Sequence, residues 1–189
     1  MTDHSALLSP AAAEFLRAAA LPTAAARTPC ADYDARGLLD HLLYWGPWLA
    51  AAGRRESYTA DGSEADAALV TGDWPAKLEK QTQDLVDAFT APGAWHGTVA
   101  LGSATLPAAV VGDLVLGEFV LHGWDLARAA GATLSCPDET AEAVRASAVA
   151  MGGQARSMGV YGPEVAVPAD APPLDRALGA SGRDPRWRP

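Results

Sequence analysis

The sequence predicts an all-α protein, a helical bundle with one long crossover connection, and three features carry that expectation. Apolar residues recur at three- and four-residue spacing through several separate runs, the period of helices that each bury one face. A polar, glycine-containing stretch, Arg54 to Gly72, interrupts these runs and is expected to lie near one end of the bundle. Trp95 to Ala104 has β-branched residues, two glycines and no helical period, and it reads as an extended excursion or short hairpin.

The first helix is expected from about Ser9 to Ala20, with Pro10 at a first helical position and Phe15, Leu16 and Ala19 on its apolar face. Leu21-Pro22-Thr23 breaks it, and Arg27-Thr28-Pro29-Cys30 forms a loop. A second helix opens at Tyr33-Asp34 with Asp34 as its cap. Gly53 and two arginines end it, and Pro47 is expected to kink it. Asp34, Leu38, His41, Trp45 and Trp48 share one side, which turns His41 inward. The third helix spans roughly Pro75 to Ala88, with Trp74, Leu78, Gln81, Leu85 and Ala88 as its inner stripe. A fourth runs from near Pro107 to Gly131, and a fifth from near Glu139 to Ser157 with Val144, Ala148 and Met151 facing in. After Gly162 come Pro163, Pro168, Pro172 and Pro173, so about 163–189 reads as a tail packed on the bundle.

At 189 residues, the chain (1–189) fits one domain with a sizeable core. Apolar content of 49% and a mean hydropathy of +0.02 are those of an ordinary globular protein. A formal charge of −9 and a pI near 4.7 argue against nucleic acid and anionic membrane surfaces as partners. No apolar window reaches the ~18 residues of a membrane span, and Met1-Thr2-Asp3-His4, without a basic or apolar leader pattern, is not expected to open a secretory signal. Cys30 and Cys136 do not make a disulfide framework. The expected location is cytoplasmic.

The chemistry is expected in the fourth helix, at Gly117-Glu118-Phe119-Val120-Leu121-His122-Gly123-Trp124-Asp125. Residues four apart stack on one helical face, so Glu118 and His122 are neighbours and Asp125 continues the stripe. Traced backwards, that stripe is apolar through Val115, Val111 and Pro107. A carboxylate set into such a face needs a cation, because desolvating it alone costs several kcal/mol. Two imidazoles and one carboxylate suit a borderline-soft divalent ion, zinc above all, with the fourth position left for water or substrate. By spacing alone, however, Glu118 and His122 read equally well as a hydrogen-bonded core histidine with its counterion.

Thr28-Pro29-Cys30, Leu38-Leu39-Asp40-His41-Leu42 and Glu118 through Ala127 are similar to the metal-binding domain of mycothiol-dependent maleylpyruvate isomerases, in the DinB-like superfamily of actinobacterial proteins. Ala171-Pro172-Pro173-Leu174-Asp175-Arg176 and Gly182-Arg183-Asp184-Pro185 resemble the tail of a short subgroup of these proteins. The resemblance implies a DinB-like four-helix bundle with His41, Glu118 and His122 as metal ligands. It places Asp125 beyond them, to orient His122 or act as general base. It implies zinc, or another divalent metal such as nickel, with mycothiol as a thiol cofactor. The activity implied is S-transfer to, or isomerisation of, a small electrophilic substrate. The isomerase carries an additional C-terminal α/β domain, so the metal site is expected here without the maleylpyruvate reaction itself. A homodimer is compatible with the resemblance. Two other readings stay open: a thiol-independent lyase, cyclase or hydrolase acting on a secondary-metabolite intermediate, and a non-catalytic, metal-stabilised binding module.

The remaining candidates have simpler readings. Cys30 reads as a small packed residue, His96 as solvent-facing, and His4 as uninvolved. Gln81 reads as a partner for a buried backbone group, and Trp45, Trp48 and Trp124 as core. Arg128 is expected to form a surface ion pair, with Asp125 or a substrate carboxylate as the other partners open to it.

Overall fold

Helices dominate the computed structural model, which describes residues 2–21 and 25–189. They are α1 (Ser5–Ala19), α2 (Ala35–Arg54), α3 (Trp74–Thr90), α4 (Ala108–Gly117), α5 (Gly123–Ala129), α6 (Asp138–Ser157) and α7 (Pro173–Ala180). One antiparallel hairpin, β1 (Thr98–Leu101) and β2 (Ala104–Pro107), precedes α4, with Val99 opposite Leu106 and Leu101 opposite Ala104. Gly102 turns it at a φ of 60°, in the left-handed region that glycine tolerates. Helix α2 packs on α3 and α4, α1 packs on α3, α4 and α5, and α7 lies along α6. Phe15, Leu38, Leu78, Phe89, Val111, Val115 and Phe119 are among the core side chains these contacts bury.

Asp34 caps α2 as expected, its carboxylate accepting from the Gly37 amide at 2.8 Å. Arg55, in the left-handed conformation at a φ of 58°, closes the C-terminus. The helix runs unbroken through Pro47.

Three features differ from the sequence expectation. Helix α1 begins at Ser5, which places Pro10 inside it. Asp3 accepts from the Ser5 amide at 2.9 Å and Leu8 is fully buried, and both hold the extra first turn in place. Of the break expected at Leu21-Pro22-Thr23, Pro22 and Thr23 lie outside the described residues. The fourth helix is interrupted by a π-helical turn at Glu118–His122. The tail contains a helix, α7, because Pro173 occupies a first-turn position where its missing N–H costs no hydrogen bond.

The Arg54–Gly72 connection departs furthest from expectation. Instead of staying at one end, it lies along α2: the Leu69 and Val70 amides donate to Asp40 Oδ1 at 2.5 and 2.7 Å. Tyr44 Oη donates to Gly62 O at 3.3 Å.

Ahead of the hairpin, Trp95 is buried and donates its indole N–H to Phe89 O at 2.8 Å. Its six-membered ring packs against Gly112 of α4, where a Cβ would come within 2.6 Å of it. Pinned on one side by its hydrogen bond and on the other by the core, the indole has little room to give. Gly112→Ala is therefore expected to destabilise the fold by about 1–3 kcal/mol, the usual cost of overpacking, measured by denaturant unfolding.

Candidate functional site

The π turn carries Glu118 and His122, and α2 brings His41 to face them. A π turn inside an α-helix is rare and recurs at functional sites. The two imidazoles meet edge to face with ring centroids 5.3 Å apart. Both turn Nε2 towards the same atom, Glu118 Oε2, at 3.8 Å from His41 and 3.7 Å from His122. Oε2 is buried and has no hydrogen-bond partner among the described residues. An unpaired buried carboxylate oxygen is costly, and two ring nitrogens converge on it at distances too long for hydrogen bonds.

Those observations fit a shared cation. Ligands bound at about 2.0–2.2 Å around a tetrahedral ion stand roughly 3.4 Å from one another, close to the separations found. The side chains of His41, His122 and Glu118 keep 17%, 13% and 22% of their surface exposed, so solvent reaches the cluster.

Each histidine is held from behind by a carboxylate. His122 Nδ1 lies 3.0 Å from Asp125 Oδ2. His41 Nδ1 lies 2.6 Å from Glu64 Oε1. Such pairs fix the ring and leave the other nitrogen free to bind.

Asp125 is fully buried, and its partner is Arg183 from the tail, with Nη2 2.8 Å from Oδ2 and Nε 3.0 Å from Oδ1. Burial pushes the Asp125 carboxyl up, but the Arg183 guanidinium and the His122 hydrogen bond outweigh it and hold the group below its usual value. Gly182, at a φ of 88°, presents Arg183, and a Cβ there would meet the Gly162 backbone at 2.7 Å. Arg128 is not the partner of Asp125: its guanidinium donates to Ala132 O at 3.4 Å and Trp187 O at 2.9 Å.

Glu64 sits in a three-residue 3₁₀ turn of the crossover connection, Glu64–Asp66. It also accepts from Tyr33 Oη at 2.8 Å and Trp45 Nε1 at 2.8 Å. Burial raises its pKa, and these three hydrogen bonds more than reverse the effect. Burial and the bond to Glu64 push the Tyr33 phenol well above its ordinary range, so it stays a donor.

A second group, Cys30, His122 and Asp125, also has ligand atoms within 4.8 Å of one another. It is the poorer cation site, because Arg183 already supplies positive charge to Asp125 and burial pushes the Cys30 thiol up, away from the thiolate that binds metal. Gln81 donates to Leu42 O at 2.8 Å, the backbone role expected of it. His96 is exposed, and Trp124 is buried. Trp45 is half-buried and belongs to the site through Glu64. His4 is engaged, with Nδ1 2.8 Å from Asp113 Oδ1.

Neither Glu64 nor Arg183 is assigned a role by the sequence. Glu64 is one of several acids in a polar stretch, and Arg183 stands out only as part of the tail motif.

No family model matches the chain. Two uncharacterized proteins of Mycobacterium tuberculosis, from strains CDC 1551 and H37Rv, are each 28% identical over 165 residues, covering 84% of this chain and 84% of theirs. Among solved structures, a mycothiol-dependent maleylpyruvate isomerase superposes with a TM-score of 0.59 at 18% identity, over 85% of this chain and 73% of that one. The two share a fold. Among the described residues, no helix is long and apolar enough to cross a membrane.

Proposed function

We propose that this chain is a divalent-metal enzyme in which His41, Glu118 and His122 hold a zinc-like cation, and that it works on a small electrophile through a low-molecular-weight thiol such as mycothiol. The observation that carries the reading is the convergence of two Nε2 atoms on the unpaired Glu118 Oε2. The thiol is supported by the shared fold with a mycothiol-dependent enzyme. When bound, a divalent cation lowers the pKa of a coordinated thiol and so supplies a nucleophile near neutral pH.

The chain's own residues hold and orient. Glu118 contributes the negative charge, and Glu64 and Asp125 keep protons on the Nδ1 atoms, with both Nε2 lone pairs facing inward. Asp125 is read as a positioning residue and not as a general base, because it has no exposed surface and Arg183 engages both its oxygens. Residues 1–189 are read as one domain, since the tail supplies Arg183 to the site. The partial exposure of the three ligands favours an open, catalytic site over a closed structural one.

Two measurements test the reading. Purified protein is expected to hold about one divalent ion per chain, and turnover of a small electrophile is expected to require both that ion and mycothiol. Turnover that persists without thiol selects the thiol-independent lyase, cyclase or hydrolase reading. Absence of stoichiometric metal removes the proposal.

A further inference from the structure

The geometry points to Glu64 as the residue that sets the tautomer of His41, so that docking of the crossover connection on α2 and preparation of the metal site are one event. Its affinity arm rests on the metal reading above; its tautomer arm does not.

A neutral imidazole carries a single ring proton, and the nitrogen that bears it is fixed by the hydrogen bond that nitrogen makes. His41 Nδ1 lies 2.6 Å from Glu64 Oε1, so the proton belongs on Nδ1 and the lone pair on Nε2, facing Glu118. Glu64 is the matching acceptor. The Tyr33 hydroxyl arrives from just ahead of the α2 cap, the His41 Nδ1–H and the Trp45 Nε1–H from the helix itself, and all three donate. Only a carboxylate offers two acceptor oxygens to such a set. A glutamine would turn an N–H₂ towards one donor.

Glu64 reaches this position only because its connection is fastened along α2. Gly62 O accepts from Tyr44 on one side, and the Leu69 and Val70 amides donate to Asp40 on the other. Within the turn, Ser63 Oγ donates to Asp66 Oδ2 at 2.7 Å. Glu64 is the one hydrogen-bond partner of His41 Nδ1 among the described residues. Asp125 plays the equivalent part for His122 from within the same helical run, so its contribution is independent of the connection. Coupling is reciprocal: if the docked connection favours cation binding at Nε2, the bound cation favours the docked connection by the same factor.

The experiment uses the full chain as wild type, Glu64→Ala and Glu64→Gln. In metal-free, ¹⁵N-labelled protein, long-range proton–nitrogen spectra of the imidazoles are expected to show His41 as the Nδ1–H tautomer. In Glu64→Ala, His41 should move to a tautomer mixture while the His122 signals stay in place, which also reports an intact fold. Glu64→Gln, which keeps the shape, should fall between the two. Zinc affinity, read by competition with a chromogenic chelator, should drop roughly 10–100-fold in Glu64→Ala. In the wild type alone, zinc should slow amide exchange across 59–71.

A wild-type His41 protonated on Nε2, or an unchanged His41 spectrum in Glu64→Ala, overturns the inference. So does unchanged zinc affinity in that variant. Should the wild type bind no zinc, the proposed function falls while the His41 spectra still decide the role of Glu64.

Discussion

Arg183→Ala is expected to lower the unfolding midpoint by roughly 6–20 °C. The figure follows from the loss of about 3–5 kcal/mol when one partner of a buried ion pair is removed, at about 2–4 °C per kcal/mol for a chain of this length. Arg183 and Asp125 are both buried, and the guanidinium bridges both carboxylate oxygens at 2.8 to 3.1 Å. Without it, Asp125 keeps His122 as its one side-chain hydrogen-bond partner among the described residues. Metal-free protein should be used, so that lost metal does not add to the shift.

The pH dependence has a definite sign. In the wild type the folded pKa of Asp125 lies below its unfolded value, so the pair contributes fully above about pH 4 and is lost as pH falls through the folded value. In Arg183→Ala, burial acts on Asp125 without the opposing guanidinium and raises its folded pKa. The gap between wild type and variant should therefore widen as pH rises above about 4. A gap that is constant from pH 3 to 7 would remove the electrostatic account.

His41→Ala is expected to leave the protein folded and empty of metal. It takes away one of three protein ligands, so affinity should fall by more than the roughly 10–100-fold that outer-shell changes cost. His41 is partly exposed, and Glu64 would still hold Tyr33 and Trp45, so far-UV circular dichroism should be unchanged. The matching variant is Cys30→Ser. It alters the competing Cys30–His122–Asp125 group and leaves His41, Glu118 and His122 intact, so metal should be retained. If metal is lost from Cys30→Ser and kept by His41→Ala, the ion belongs to the other group.

The residues that were legible in the sequence are those whose neighbours are local. Glu118, His122 and Asp125 share a face through helical spacing, and Asp34 announces the start of α2 by its cap. His41 was placed inward by the period of its own helix, and it faces the π turn. Spacing carried no sign of the π turn itself, since one extra residue in the hydrogen-bonded ring leaves no mark in residue types. The prolines of the tail suggested irregular chain, yet Pro173 sits where a helix begins.

By itself the sequence determined the helical character of the chain and the stripe carrying three titratable groups, because each depends on periodicity within about a dozen residues, and it marked an extended excursion or short hairpin where that period lapses. Only the tertiary structure decided what stands behind those groups. Glu64 meets His41 across 23 residues and Arg183 meets Asp125 across 58. Neither span has a repeating pattern; each pair exists because a buried or half-buried polar group must find a partner, and the fold alone sets which one comes within reach.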